Sequence, residues 1–202
     1  MYHLELRDWA GAAALDTRAG SHALGQTTTY WARATGAARL RNPPDAKRNV
    51  KRFEELLEEI GKSTDAYMLA EMDVPRDELR AWVAFAEGRA DDAVRLMRDA
   101  ADRQDARGKG EVEMPAREML ADVLLELERP ADALIEYERS MRIDPNRFNG
   151  LFGAAVAAEK ADKLDLARKY FTRLLDNCKG ADSSRTELAR ARQFIQVHGS
   201  SQ

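Results

Sequence analysis

The apolar positions of this chain recur at helical spacing, and one helical pattern is written twice. The stretch RPADALIEYERSMRIDPN begins at Arg129, and KLDLARKYFTRLLDNCKG begins 34 positions later. Ala133 matches Ala167 at this separation. Tyr137 matches Phe171 in the same way. A small residue followed four positions on by an aromatic side chain places both on one helix face. The pattern predicts two similar helices, each packed on a neighbour at its alanine.

The same spacing of small residues continues upstream of these two stretches. Ala121 and Ala155 are also 34 positions apart, and each precedes the small residue of the next stretch by 12 positions. Ala81 and Ala93 show the same separation of 12 positions. Farther upstream, the apolar residues of PPDAKRNVKRFEELLEEI form a stripe at helical spacing. The chain is therefore predicted to consist of consecutive helix pairs, since no segment has the alternating pattern of a strand.

Helical periodicity and turn residues place predicted helices along most of the chain. The helix over 76–87 has two interpretations: it is rotated about its axis, or it continues an earlier helix through a kink at Pro75. The predicted helices are 9–17, 27–41, 44–60, 64–73, 76–87, 90–105, 114–128, 131–143, 147–161, 164–177 and 184–197.

Helix pairs that repeat every 34 residues, with small residues where the helices cross, resemble the tetratricopeptide repeat. Two helices packed about 8–10 Å apart need alanine or glycine at the closest approach. The resemblance fits without gaps over 114–179. The stretches YWARATGAAR, AFAEGRADDAVRLMRDAAD and PNRFNGLFGAAVAAE are similar to the C-terminal part of longer bacterial tetratricopeptide-repeat proteins. The resemblance implies an all-α fold, a right-handed α-solenoid of antiparallel helix pairs with a C-terminal capping helix.

The organisation expected from this resemblance is a single tetratricopeptide-like domain over 1–202. A stack that opens on half a repeat exposes apolar surface, because a single helix pair cannot bury its own apolar face. We therefore expect either a segment of a longer protein or a partner that covers this end. The predicted units are a partial one near 1–20, then 27–62, 64–105, 114–146 and 148–179, with a cap over 184–197.

The charge balance narrows the choice of partner. The chain has 32 basic and 35 acidic side chains and a formal net charge of -3, so no overall field favours nucleic acid or an anionic membrane. No run of about 18 apolar residues indicates a transmembrane helix. The single cysteine, Cys178, requires no oxidising compartment. From this chain alone we expect a cytoplasmic protein, whereas a longer exported parent would change that location.

Few residues of the chain suggest catalytic or metal-binding chemistry. His3, His22 and His198 share no metal-ligand spacing, and the sequence contains no HExxH, CxxC or acidic calcium-loop motif. The stretch GKGE, which begins at Gly108, lacks the glycine spacing and the following Ser or Thr of a phosphate loop. We therefore predict no enzyme activity, no cofactor and no metal site.

The resemblance implies a partner surface, because the first helix of each tetratricopeptide pair lines a concave wall. Some family members clamp a terminal carboxylate there with lysine, asparagine and arginine, but the matching positions here hold Glu118, Asp122 and Gly153. Such an acidic wall with apolar patches repels a carboxylate and suits a basic and apolar peptide or protein segment. Alternatively, the carboxylates only keep the wall soluble. The predicted wall residues are Glu78, Trp82, Phe85, Glu118, Asp122, Leu125, Glu126, Asn149, Phe152, Val156 and Glu159.

The function expected from these patterns is a non-catalytic protein-interaction scaffold that binds a peptide or partner segment on its concave face. Two alternatives stay open. The terminal repeats are a self-assembly module that forms a homo-oligomer, or the chain is an accessory region of a larger enzyme whose site lies outside this segment. Aromatic residues on the first helices are also candidates for the core, because large apolar side chains are mostly buried.

Overall fold

The computed structural model describes residues 1–18, 20–62, 69–108, 114–180 and 185–198. Within these ranges the regular structure is helical and contains no strand, which confirms the predicted all-α class. None of the helices in this part of the chain is both long and apolar enough to cross a bilayer. The helices are α1 (Tyr2–Glu5), α2 (Trp9–Ala13), α3 (Ala23–Arg39), α4 (Pro43–Gly61), α5 (Asp73–Ala86), α6 (Ala90–Arg107), α7 (Ala116–Glu126), α8 (Pro130–Ile143), α9 (Phe148–Lys160), α10 (Leu164–Asn177) and α11 (Thr186–His198).

The chain divides into two compact units, Met1–Lys109 and Gly110–Gln202. In unit 1, α3 packs against α4 and α5 against α6; in unit 2, α7 packs against α8 and α9 against α10. Turns of a few residues join the helices of each pair, so the two helices run antiparallel. Each unit is therefore built from the helix pairs that the sequence pattern predicts. The single domain predicted over 1–202 stays a prediction.

Alanines occupy the close approaches between the helices of unit 2. Ala133 and Ala167 are fully buried, and so are Ala121 and Ala155 of the preceding first helices. Backbones that approach to about 8–10 Å leave no room for a larger side chain at the contact. The alanine register read from the sequence is therefore the register in which these helices pack.

Aromatic rings connect the successive helices of unit 2. Phe171 of α10 meets Phe152 of α9 edge-on, with ring centroids 6.1 Å apart, and lies 4.9 Å from Phe194 of α11. Phe171 and Phe194 are buried. The predicted terminal helix thus packs its apolar side on α10, and its Leu188 is buried in the same contact region.

In each of the four helix pairs, a residue with left-handed backbone conformation follows the first helix. The N–H of the residue after it donates to the carbonyl five positions earlier, as from Arg129 to Leu124 at 2.9 Å. This cap satisfies a carbonyl at the end of the first helix and turns the chain back along it. The left-handed residues are Arg41 (φ 57°), Gly88 (φ 77°), Glu128 (φ 55°) and Asp162 (φ 57°).

The start of α5 decides between the two interpretations of the helix predicted over 76–87. The two residues before α5 form a turn and the helix begins at Asp73, so Pro75 lies in its first turn. The first N–H groups of a helix have no intrahelical acceptor, so a proline there removes no helical hydrogen bond. The interpretation with a kink at Pro75 is therefore wrong.

Two other predicted helices differ from the observed bounds by four residues at one end. The helix predicted over 9–17 ends at Ala13, and the helix predicted over 27–41 begins four residues earlier, at Ala23. Half of the helix predicted over 64–73, residues 64–68, lies outside the described ranges. Helix α1 was not predicted, because four residues are too few for a periodicity to be seen.

Gly36 marks the closest approach between α2 and α3. A Cβ atom at this position would lie 2.7 Å from the Ala13 nitrogen and 2.7 Å from the Trp9 carbonyl oxygen. We expect Gly36→Ala to lower the free energy of unfolding by about 1–3 kcal/mol, because one backbone must move to make room for the methyl group. Urea denaturation followed by circular dichroism measures the change.

Gly25→Ala is the matched control on the same helix. Its new methyl group would meet no atom nearer than the Ser21 Cβ at 3.8 Å. We expect this variant to be more stable than the wild type by about 0.4–1 kcal/mol, because alanine loses less backbone entropy on folding. Equal stability of the two variants would contradict the close approach at Gly36.

Candidate functional site

The predicted wall residues lie on the first helices α5, α7 and α9, and the structure separates them into two groups. Seven are buried and four are partly or fully exposed. The buried residues are Glu78, Trp82, Phe85, Glu118, Asp122, Asn149 and Val156. The more exposed residues are Leu125, Glu126, Phe152 and Glu159.

The three wall positions on α5 lie in the core of unit 1. Trp82 and Phe85 are 2% and 1% exposed, and their rings meet edge-on with centroids 5.6 Å apart. The buried carboxylate of Glu78 accepts a hydrogen bond from Trp31 Nε1 of α3 at 3.1 Å. The prediction that these three side chains face a partner is therefore corrected. They hold α5 against the rest of unit 1, because α5 turns this side inward.

Two arginines at the end of α3 cover the aromatic rings of this core. The guanidinium of Arg39 lies 4.4 Å from the centroid of Trp9 and 4.9 Å from that of Trp82. The guanidinium of Arg41 lies 3.6 Å from the Phe85 ring and donates to the Phe85 carbonyl at 2.8 Å. Such contacts place a cation over the electron-rich ring face. The rings on α5 are thus already in contact with cations from the same unit.

Glu118 of α7 is bound by Arg147, the residue directly before α9. The Arg147 Nε lies 3.1 Å from Oε2 of Glu118, and Nη2 lies 3.3 Å from Oε1. The side chain of Glu118 is 2% exposed and that of Arg147 is 20% exposed. A Cβ on Gly150, in the first turn of α9, would come within 3.1 Å of the same carboxylate. The carboxylate therefore joins two first helices and does not project an uncompensated charge.

Asp122 is also bound from inside unit 2. Its carboxylate accepts a hydrogen bond from the hydroxyl of Tyr137, which is fully buried. Gly153 makes room for that ring, because a Cβ there would lie 2.3 Å from the Tyr137 Cζ atom. The three positions that match the family's carboxylate clamp, Glu118, Asp122 and Gly153, are thus used for packing and internal hydrogen bonds.

Arg185, directly before α11, contacts α9, the first helix that precedes it in the chain. Its guanidinium lies 3.7 Å from the Phe148 ring centroid. Its Nη2 donates to Glu187 at 2.8 Å and lies 3.5 Å from Oδ1 of the buried Asn149. Arg185 therefore packs on the start of α9, much as Arg147 contacts Glu118 of α7.

The four partly or fully exposed positions define what we call the unit 2 face: Leu125 and Glu126 of α7, and Phe152 and Glu159 of α9. Phe152 is half-buried against Phe171, which leaves part of its ring open. Arg190 of α11 donates to Glu159 at 2.8 Å, and its guanidinium lies 5.8 Å from the Phe152 ring. The face thus combines apolar surface with charges of both signs.

Sequence reasoning missed the arginines that complete this region, Arg147, Arg185 and Arg190. One signal was available, because Arg147 directly precedes the first helix α9 and Arg185 directly precedes the terminal helix α11. An arginine at this point of the repeat lies beside the preceding first helix of the stack. Arg190 follows Glu159 by 31 positions, and no helical periodicity connects residues so far apart.

The groups at the surface of this region are charged side chains, an aromatic ring and an aliphatic side chain. Within the described ranges, no three His, Cys, Asp or Glu side chains converge as metal ligands. Cys178 is a half-buried free thiol at the end of α10. Ion pairs, ring faces and aliphatic side chains are groups that recognise another polypeptide.

A sequence model of a known family matches two overlapping parts of the chain. The family is described as tetratricopeptide repeat, and the matches cover residues 79–148 and 119–182. Together they span just over half of the 202 residues and include α6 to α10 with the whole unit 2 face. A comparison with curated proteins gives no match.

The pair formed by Glu118 and Arg147 provides a test of this region's construction. We expect Arg147→Met to lower the free energy of unfolding by about 3 kcal/mol, because it removes two donors from a buried carboxylate. Chemical denaturation measures the loss. Arg129→Met is the control, since Arg129 pairs with Asp132 on the surface, and we expect a change within about 0.5 kcal/mol. Equal effects of the two substitutions would contradict the buried role of Arg147.

Proposed function

Because the chain belongs to the tetratricopeptide repeat family, we propose that it is a non-catalytic scaffold that binds a segment of a partner protein on the unit 2 face. Stacked repeats of this kind offer extended binding surfaces. The observation that carries the proposal is the open part of the Phe152 ring, on a first helix within the matched region. Beside it lie Glu159 and Arg190.

The binding mode follows from the chemistry of this surface. An aliphatic or aromatic side chain of the partner packs on Phe152 and supplies most of the affinity, because a few large contacts dominate most interfaces. Leu125 extends the apolar area on α7. The charged side chains around it set the orientation of the segment and the rate of association.

We further propose that the bound segment is basic and apolar. Glu126 is exposed, and Glu159 has a third of its side chain exposed. A lysine or arginine of the partner can replace Arg190 as the ion-pair partner of Glu159, because exposed ion pairs contribute little stability. At the positions where the family's clamps have cations, this chain has Glu118 and Asp122, which are buried and bound from within unit 2. The proposed segment therefore differs from the acidic tails that such clamps bind.

Two labelled peptides of equal length test this proposal, one with lysines and one with glutamates around the same leucine and phenylalanine positions. We expect the lysine peptide to bind the full chain more tightly at this face, and Phe152→Ala to weaken its binding by about tenfold or more. Fluorescence anisotropy measures both affinities.

Ile135→Ala is the matched control, because Ile135 is an exposed apolar residue on the second helix α8. We expect it to leave the affinity for the lysine peptide unchanged. A similar loss in both variants would argue against the unit 2 face. An effect of Phe152→Ala on the glutamate peptide alone would contradict the proposed charge preference.

A second candidate function, self-assembly through the terminal repeats, is favoured by exposed apolar side chains near the start of unit 1. Tyr2 is 73% exposed, and Leu6 and Leu24 are 38% exposed. Apolar side chains that cluster on a surface mark sites of protein association. The further alternative, an accessory region of a larger enzyme, stays a prediction.

Light scattering of the full chain tests self-assembly. If Tyr2 and Leu6 form a contact between copies, the wild type is a dimer or larger, and Tyr2→Ser combined with Leu6→Ser converts it to a monomer. Ile143→Ser, at an exposed position on α8, is expected to leave the mass unchanged. A monomeric wild type over the concentrations accessible to light scattering would exclude this function.

A further inference from the structure

A cleft of about 450 Å³ opens on unit 1 between α4, α5 and α6, and none of the predicted wall residues lines it. Three half-buried aliphatic side chains, one from each helix, line its inner part, and four exposed cationic side chains complete its lining. The aliphatic residues are Val50, Val83 and Leu96, and the cationic residues are Lys47, Lys51, Arg80 and Arg89.

Helical spacing explains why these residues meet at one place. Lys47, Val50 and Lys51 occupy positions i, i+3 and i+4 of α4, so they share one side of that helix. Arg80 and Val83 have the same relation on α5. Each helix therefore presents an aliphatic residue together with a cation on the side that faces the cleft.

Two of the cations have partners that a ligand can replace. The side chains of Lys51 and Arg80 are 81% and 54% exposed. Lys51 Nζ lies 3.9 Å from Glu55. The guanidinium of Arg80 lies 2.9 Å from Asp77 and 4.0 Å from Glu54. Ion pairs in such exposed positions are weak, because water solvates both charges well. A carboxylate from a ligand can therefore exchange with them.

The other two cations share a carboxylate at the edge of the cleft. Lys47 and Arg89 both bind Glu87, and their hydrogen bonds hold the pKa of that carboxyl below its usual value. Arg89 also binds Asp92 at 2.6 Å. These contacts fix the cations beside the cleft while their side chains stay about half exposed.

We propose that this cleft is a docking site for an acidic and apolar segment of a partner protein. An aliphatic side chain of the segment enters among Val50, Val83 and Leu96. Carboxylates on either side of it meet the cations at the rim. Charge complementarity favours this occupant, because its carboxylates can replace Glu55 and Asp77 at Lys51 and Arg80, whereas a neutral segment would desolvate the cations without compensation.

The cleft and the unit 2 face have opposite expected charge preferences. The proposal for the cleft therefore stands independently of the function proposed above. A protein that holds both surfaces can bring a basic and an acidic segment onto one chain. Variants of the cleft and of Phe152 separate the two surfaces in one set of titrations.

The experiment titrates the full chain into labelled peptides that share their leucine positions and carry either glutamate or lysine elsewhere. Fluorescence anisotropy is expected to show that the wild type binds the glutamate peptide at low salt and that this binding weakens as salt increases. In Phe152→Ala, in which the unit 2 face is weakened, we expect the glutamate peptide to bind more tightly than the lysine peptide. We expect Lys51→Gln combined with Arg80→Gln to weaken binding of the glutamate peptide by about fivefold, the effect of losing two exposed charge contacts. Val83→Thr is expected to weaken it while leaving the charges unchanged.

Arg48→Gln combined with Arg95→Gln is the matched control. These arginines are 73% and 61% exposed, belong to α4 and α6, and do not line the cleft, yet their substitution removes the same charge. We expect this variant, and Phe152→Ala, to bind the glutamate peptide as the wild type does. Circular dichroism checks that every variant is folded.

Three results would overturn the proposal. The first is binding of the lysine peptide to Phe152→Ala as tightly as the glutamate peptide. The second is an equal loss of affinity for the glutamate peptide in the cleft variant and in the matched control, because this would indicate only a general effect of net charge. The third is displacement of the glutamate peptide by inorganic phosphate at the same concentration, which would indicate a simple anion site.

Discussion

The structure depends on the close approach of helix backbones, which allows nothing larger than a methyl group at the crossing points. In unit 2 this condition is met by alanines such as Ala133 and Ala167, which are fully buried. In unit 1 it is met by Gly36, where even a methyl group would collide with the backbone of α2. Because the crossing points recur at a fixed spacing, the helices form pairs, and the pairs place their first helices side by side.

A second feature of the architecture is that an arginine directly before a helix contacts a neighbouring first helix. Arg147 binds the buried carboxylate of Glu118, and Arg185 lies on the Phe148 ring. A buried carboxylate with its cation present is well accommodated, whereas the same carboxylate alone would be costly. These contacts make the first helices of unit 2 less acidic at their surface than the residue types suggest. What remains there is the partly buried aromatic ring of Phe152, with Arg190 and Glu159 beside it.

The two proposed binding surfaces differ in a way that follows from where carboxylates and cations lie. On the unit 2 face, Glu126 is exposed, and Arg190 links Glu159 to the Phe152 ring. In the cleft of unit 1, Lys51 and Arg80 lie at the edge of an aliphatic lining. Both surfaces use the same physical division of roles, in which apolar contact gives affinity and charge selects the partner.

The sequence by itself determined the helical class, the helix pairs and the positions of the buried alanines, because these follow from spacing along a single helix. The burial of Glu78, Trp82 and Phe85 was decided by tertiary structure. Periodicity shows which residues share a helix side, but exposure depends on what covers that side. The segments that bury these residues are distant in the sequence. Trp31, for example, donates a hydrogen bond to Glu78 and lies 47 positions away from it. The cleft of unit 1 has the same origin, since its lining comes from three helices that only the fold brings together.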